Sequence, residues 1–124
     1  MLKVLVIDDS SVIVDYIKGN LEEAGYEVCT ADNGKAGIEM IDKYDLDLVI
    51  TDIIMPERDG VEVMLYIKRL YPDIRTIVIT SGGAIAAKDH LSMASKLGAD
   101  FVIQKPVDPL QLLATISAIQ NPFA

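Results

Sequence analysis

The sequence predicts an α/β domain, a doubly wound five-stranded parallel sheet with helices on both faces. Three observations carry that expectation. Five short apolar runs alternate with five stretches whose apolar residues recur at helical spacing, the pattern of β-α-β units. The central runs are apolar throughout rather than alternating, as strands buried on both faces are. Right-handed crossovers between parallel strands then confine the topology to a doubly wound sheet. With 124 residues and no repeat, linker or low-complexity segment, the chain reads as one domain, large enough to bury about two thirds of its unfolded surface around one core.

The elements follow in order. Lys3 to Ile7 is a strand ending in Asp8-Asp9. Ser10 or Ser11 can cap the next helix, whose stripe is Ile13, Ile17, Leu21 and Ala24, and Gly25 stops it. Tyr26 to Ala31 is a second strand, and Glu27 marks it as an edge with one wet side. Asn33-Gly34 opens a second helix carrying Ala36, Met40, Ile41 and Tyr44. Leu46 to Asp52 is the central strand. A third helix starts near Gly60, buries Val63, Met64, Ile67 and Leu70, and is ended by Pro72. Thr76 to Thr80 is the fourth strand. A fourth helix is expected from about Ala86 to Leu97, with Gly98 ending it. Phe101 to Gln104 is a short fifth strand before Lys105-Pro106. The last helix begins at Asp108 or Pro109 and carries Leu110, Leu113, Ile116 and Ile119.

Composition excludes several classes. A formal charge of −8 repels nucleic acid and anionic membrane, so neither is expected as a direct partner. Cys29 is the only cysteine, which rules out an internal disulfide and a cysteine-built zinc site. The apolar runs are too short to span a bilayer and no signal peptide precedes the first strand, so the cytoplasm is the expected location.

The stretch Leu48 to Gly60 delivers a carboxylate, Asp52, to a reversal built from Met55-Pro56 and Asp59-Gly60. Alone, Asp52 reads as a helix cap or turn residue. Its company changes that. Ligands of open parallel sheets bind beyond the carboxyl ends of the strands, and those ends carry Asp8 and Asp9, Asp52, Thr80 and Lys105. Crowded carboxylates repel one another, and a divalent cation relieves the conflict. An all-oxygen donor set suits Mg²⁺. A lysine and a hydroxyl beside it suit a small anion, and together they point to phosphoryl transfer onto a carboxylate. Individually, Asp8-Asp9 also fit as capping acids, Lys105 as a surface lysine and Thr80 as a strand-end threonine. His90, the only histidine, reads as a surface residue.

D-D after the first strand, D-x-x-M-P-x-x-D-G around Asp52, T after the fourth strand and K-P after the fifth resemble the response-regulator receiver domain of two-component signalling. The resemblance covers essentially the whole chain. It implies the flavodoxin-like, CheY-like fold with strand order 2-1-3-4-5. It implies that Asp52 is the phosphoacceptor, taking a phosphoryl group from the phosphohistidine of a sensor histidine kinase or a histidine phosphotransfer protein. Asp9, Asp52 and the backbone carbonyl of Ile54 would ligate Mg²⁺, with Asp8 acting mostly through water. Lys105 would pair with Asp52 and then with the phosphoryl oxygens. The Thr80 hydroxyl would swing inward to the phosphoryl group, shifting the face made by the fourth helix, fifth strand and fifth helix. Pro106 would follow a cis peptide bond that aims Lys105. Met55, Pro56, Asp59 and Gly60 would shape the loop holding the Ile54 carbonyl.

Three departures from the family pattern stand out. The position three before the lysine, often aromatic, is Val102, with Phe101 beside it facing the other way, so coupling between threonine and an aromatic ring is altered or absent. The Thr80–Lys105 segment is a few residues longer than usual, and Ser81-Gly82-Gly83-Ala84 is expected to be mobile. Ile54 and Gly82 replace commonly polar neighbours of the acceptor, which predicts a long-lived phospho-aspartate; the opposite outcome is that glycine opens the site to water. The last helix has no charge after Asp108 and an outer stripe of Gln111, Thr115 and Ala118, which suits docking to a partner, an apolar dimer or a neutral solvated face.

The expected function is a phosphorylation-controlled switch, not a turnover enzyme, acting as a monomer or weak dimer on a downstream effector protein. Residues 1–124 are expected to be a single receiver with no output domain in this chain. The alternative is a receiver-fold binding module that never accepts phosphate. A flavin-binding protein of similar fold would need a Ser/Thr/Gly-rich phosphate loop where Asp8-Asp9 stand. A haloacid-dehalogenase-like phosphatase would want D-x-D where the chain has D-D-S-S.

Overall fold

The computed structural model describes residues 2–53, 59–81 and 96–120. Its elements are β1 (Lys3–Ile7), α1 (Ser11–Glu23), β2 (Glu27–Ala31), α2 (Gly34–Lys43), β3 (Leu48–Asp52), α3 (Asp59–Leu70), β4 (Arg75–Ser81), β5 (Phe101–Lys105) and a C-terminal helix (Pro109–Gln120). All strand pairs are parallel and the sheet order is β2-β1-β3-β4-β5. The expected fourth helix lies mostly outside the described residues. Its end, Lys96 and Leu97, is helical and is followed by Gly98 at φ 73°.

Local chemistry starts and stops the helices. Ser10 caps α1, its side chain accepting the Ile13 N–H, and Gly25 at φ 95° follows the C-cap. Asn33 caps α2 by accepting the Ala36 N–H at 2.8 Å. Strand β3 begins two residues later than its apolar run, because Asp47 is occupied at the sheet's end. Its N–H donates to the Lys3 carbonyl and its carboxylate accepts the Lys3 N–H. Leu46 remains buried beside the ladder.

The sheet separates two cores. On one face Val4, Val6, Leu48, Ile50, Ile77, Ile79 and Ile103 meet Val14, Ile17 and Leu21 of α1 and Leu112 and Ile116 of the C-terminal helix. On the other, Leu5, Ile7 and Val49 meet Ile41 of α2 and Val63 and Ile67 of α3. Each large aliphatic side chain so buried contributes about 1.5–3 kcal/mol. β3 is buried along its full length, so its position in the sheet leaves Asp52 little freedom.

Four stripe residues of the sequence reading are displaced. Leu110 is 78% exposed while Leu112 is buried. Two residues are about 200° apart on a helix, so burying Leu112 turns Leu110 outward. Leu70 and Tyr44, at the ends of α3 and α2, are 53% and 40% exposed. Ala24, the C-cap of α1, is also exposed.

Between α2 and α3, Asp42 accepts hydrogen bonds from the Tyr66 hydroxyl (2.6 Å) and the Tyr71 hydroxyl (2.6 Å). The Tyr66 bond, then the Tyr71 bond, holds the Asp42 carboxyl below its ordinary range, and Asp42 pushes Tyr66 up to about 12. A depressed carboxylate strengthens the fold above its unfolded value and loses that contribution as the pH falls through the folded value. This link therefore persists at neutral pH and weakens in acid.

Gly60 sits where α3 begins against the end of β3. A Cβ there would collide with the Asp52 carbonyl oxygen and lie 2.7 Å from Ile53 Cα, backbone atoms that cannot step aside. Gly60→Ala is expected to destabilise the protein by about 1–3 kcal/mol in chemical denaturation. Gly19→Ala, in open space on α1, is expected to stabilise it by about 0.5–1 kcal/mol.

Candidate functional site

Three strands bring their last charged residues to one end of the sheet. Asp8 leaves β1 with its N–H donated to the Ala31 carbonyl, and its Oδ1 accepts the Ser10 N–H at 2.9 Å. The residue that caps α1 therefore also orients Asp8. Asp52 ends β3 at 2% exposure. From β5, Lys105 Nζ lies 2.6 Å from Asp52 Oδ2 and 3.2 Å from Asp8 Oδ2. β4 stands between β5 and β3, so the side chain bridges two strand spacings, roughly 10 Å. Only a long cation spans that gap. The contact with Asp52 is a hydrogen bond, whereas that with Asp8 is a charge contact without hydrogen-bond geometry.

Burial alone would lower the Lys105 pKa. The hydrogen bond and charge of Asp52, joined by the charge of Asp8, outweigh it and leave the ammonium above its ordinary value. A raised lysine contributes its stability fully below its unfolded value and loses it only as the pH climbs through the folded one. The pair is thus intact across the neutral range.

Asp8, Asp9 and Asp52 each present a carboxylate oxygen, and these oxygens lie within 4.8 Å of one another. Among the described residues one ammonium meets this group of three carboxylates, an excess of negative charge that suits a divalent cation. The donors are hard oxygens, Asp9 is exposed, and a cavity of about 420 Å³ opens beside Asp8 and Asp9. These residues fit Mg²⁺ with retained water. The cavity also carries Asp15 and Asp32, which the sequence reading passed over. They lie on a helix and in a turn, where an exposed acid gives no signal of its own.

Thr80 is fully buried near the end of β4, and its Oγ1 has no hydrogen-bond partner among the described residues. Val102 packs beside Ile53, Met64 and Val78, whereas Phe101 is 39% exposed. The two therefore face opposite ways. The Lys105–Pro106 peptide bond is cis. Ile54, Met55, Pro56, Gly82 and His90 lie outside the described residues, as does the side chain of Asp59.

Comparison with known proteins matches residues 4–117 to the response regulator receiver domain. A response regulator receiver domain protein from Clostridium thermocellum is 35% identical, with a TM-score of 0.84 over 98% of this chain and 97% of that one. A CheY-like receiver domain protein from Methanospirillum hungatei is 30% identical, with a TM-score of 0.88 over 98% and 95%. The BeF3-activated receiver domain of DrrB, a Thermotoga maritima response regulator, is 26% identical, with a TM-score of 0.84 over 98% of each chain. The match over residues 4–117, together with the sheet order β2-β1-β3-β4-β5, shows that this chain belongs to the response regulator receiver domain family.

Proposed function

We propose that Asp52 is the phosphoacceptor of a two-component switch. The observation that carries this reading is Lys105 Nζ held between Asp52 and Asp8, with Asp9 closing the acid cluster. A carboxylate oxygen of Asp52 attacks the phosphorus of a phosphorylated histidine on a sensor kinase or phosphotransfer protein. The P–N bond to the donor breaks as the acyl-phosphate P–O bond forms. Asp52 and Asp9 would hold Mg²⁺, with Asp8 bonded to its water and the Ile54 carbonyl as a further ligand. When bound, Mg²⁺ supplies charge neutralisation to the phosphoryl oxygens. Lys105 exchanges its bond to Asp52 for one to the incoming phosphoryl group, which stabilises the charge that develops there.

The buried Thr80 hydroxyl supplies the switching element. A hydroxyl left unpaired in a dry site costs about 1–3 kcal/mol, which a phosphoryl oxygen within reach recovers. Phosphorylation therefore favours the arrangement in which Thr80 turns to the acceptor. The effector-binding face that includes β5 and the C-terminal helix follows β4. With Val102 in place of a ring, less of that movement passes to β5. Ile54 and Gly82 carry no side-chain amide or acid to orient an attacking water, which supports a long-lived phospho-aspartate.

Intact mass after incubation with Mg²⁺ and a small-molecule phosphodonor tests the central claim. A single phosphoryl gain in the wild type and none in Asp52→Asn is expected, with slow decay once donor is removed. No gain in the wild type, with beryllofluoride leaving the spectrum unchanged, would make the chain a binding module that never accepts phosphate. Lys105→Met should lower the unfolding midpoint without metal and enlarge the rise on adding Mg²⁺, because the metal then takes over the neutralisation that Lys105 supplied. Thr80→Val should gain about 1 kcal/mol in stability by removing the unpaired hydroxyl. Its mass gain should persist, while the beryllofluoride-induced spectral change in β4 and β5 disappears.

A further inference from the structure

The sheet end opposite Asp52 carries a second feature, independent of phosphoryl chemistry. A cavity of about 510 Å³ opens there, with Tyr44, Leu70 and Pro72 in its walls and Asp45, Asp47 and Asp73 around it. That volume accommodates a few side chains. Leu70 and Tyr44 are the two helix-end residues whose spacing predicts burial and which stand 53% and 40% exposed. All three carboxylates are exposed. Asp47 receives only the Lys3 backbone N–H at 2.8 Å, and Asp45 and Asp73 have no partner among the described residues. Arg75 also lines the cavity, but its guanidinium is engaged 3.4 Å from Asp100. The Tyr44 ring already attracts a cation, with Lys43 Nζ 5.4 Å from its centroid.

Apolar walls inside a ring of uncompensated acids select one kind of occupant. We propose that this cavity docks a segment of a partner protein presenting an apolar side chain flanked by lysines or arginines. The apolar group covers Leu70 and Pro72, and the cations meet Asp45 and Asp73. β3 separates this site from the acceptor by roughly 13 Å. Docking therefore leaves the phosphoryl site open, and a partner can remain bound through a phosphorylation cycle.

The test uses the full chain, isotopically labelled, and two hexapeptides. One carries two phenylalanines between pairs of arginines; the other has serines in place of the phenylalanines. Titration by two-dimensional NMR is expected to shift Tyr44, Asp45, Leu70 and Asp73 with the phenylalanine peptide. The serine peptide should bind at least fivefold more weakly. Asp45→Asn with Asp73→Asn, both at exposed positions, should weaken binding at least fivefold and reduce its salt dependence. Asp52→Asn should bind the peptide as the wild type does, so loss of phosphorylation and loss of docking are separable. Equal shifts from both peptides spread over the acidic surface would overturn the proposal. So would no shift at the cavity, or concentration-dependent broadening of the same residues without peptide, which would assign the face to a second copy of this chain.

Discussion

One ammonium group holds the functional end of the domain together. Lys105 reaches from an edge strand across β4 to Asp52 and Asp8, at 2.6 and 3.2 Å. Both carboxylates are nearly fully buried, and removing the cation that joins such a pair is costly. The same placement gives the cluster its chemistry. Among the described residues a single cation meets the cluster, which suits a divalent ion, and in the function proposed above it stands where the phosphoryl charge arrives. Structural and functional electrostatics here are one arrangement.

That arrangement depends on the sheet behaving as a rigid frame. β3 is buried from end to end and is flanked by β1 and β4, so Asp52 has little freedom of position. The Gly60 backbone closes on the same strand end so tightly that a methyl group would not fit. Ser10 ties the first helix to Asp8 through one amide. Asp8 Oδ2 and Thr80 Oγ1 are both buried without a hydrogen-bond partner, but Asp8 has the Lys105 charge beside it and the Thr80 hydroxyl has no such compensation among the described residues. Rigid neighbours around one unpaired hydroxyl are what a two-position element requires.

The two ends of the sheet are specialised in opposite senses. At the carboxyl ends of the strands, acids are crowded, buried and answered by a lysine. At the amino ends, acids are exposed and surround apolar walls. The first arrangement suits a small hard cation and a phosphoryl group; the second suits a larger, softer occupant. Asp42 binds Tyr66 and Tyr71 alongside the latter, and Tyr71, which also lines that cavity, is held in place by the bond.

The sequence determined the fold class, the succession of strands and the set of strand-end residues. Those features are one-dimensional: helical and apolar periodicity, capping residues such as Ser10 and Asn33, and the position of a charge at the close of an apolar run. It also separated Val102 from Phe101, because side chains alternate along a strand. Only the tertiary structure decided which face of a helix is buried. The C-terminal helix has apolar residues at Leu110, Leu112 and Leu113, and the sheet chose Leu112. Only the tertiary structure showed that Lys105 meets Asp8 as well as Asp52, that Asp42 binds two tyrosines, and that Leu70 and Tyr44 remain in solvent beside three acids. These contacts join residues 24 to 97 positions apart through distances set by packing. No local pattern encodes a distance between elements, so they became visible only once the sheet and its helices were assembled.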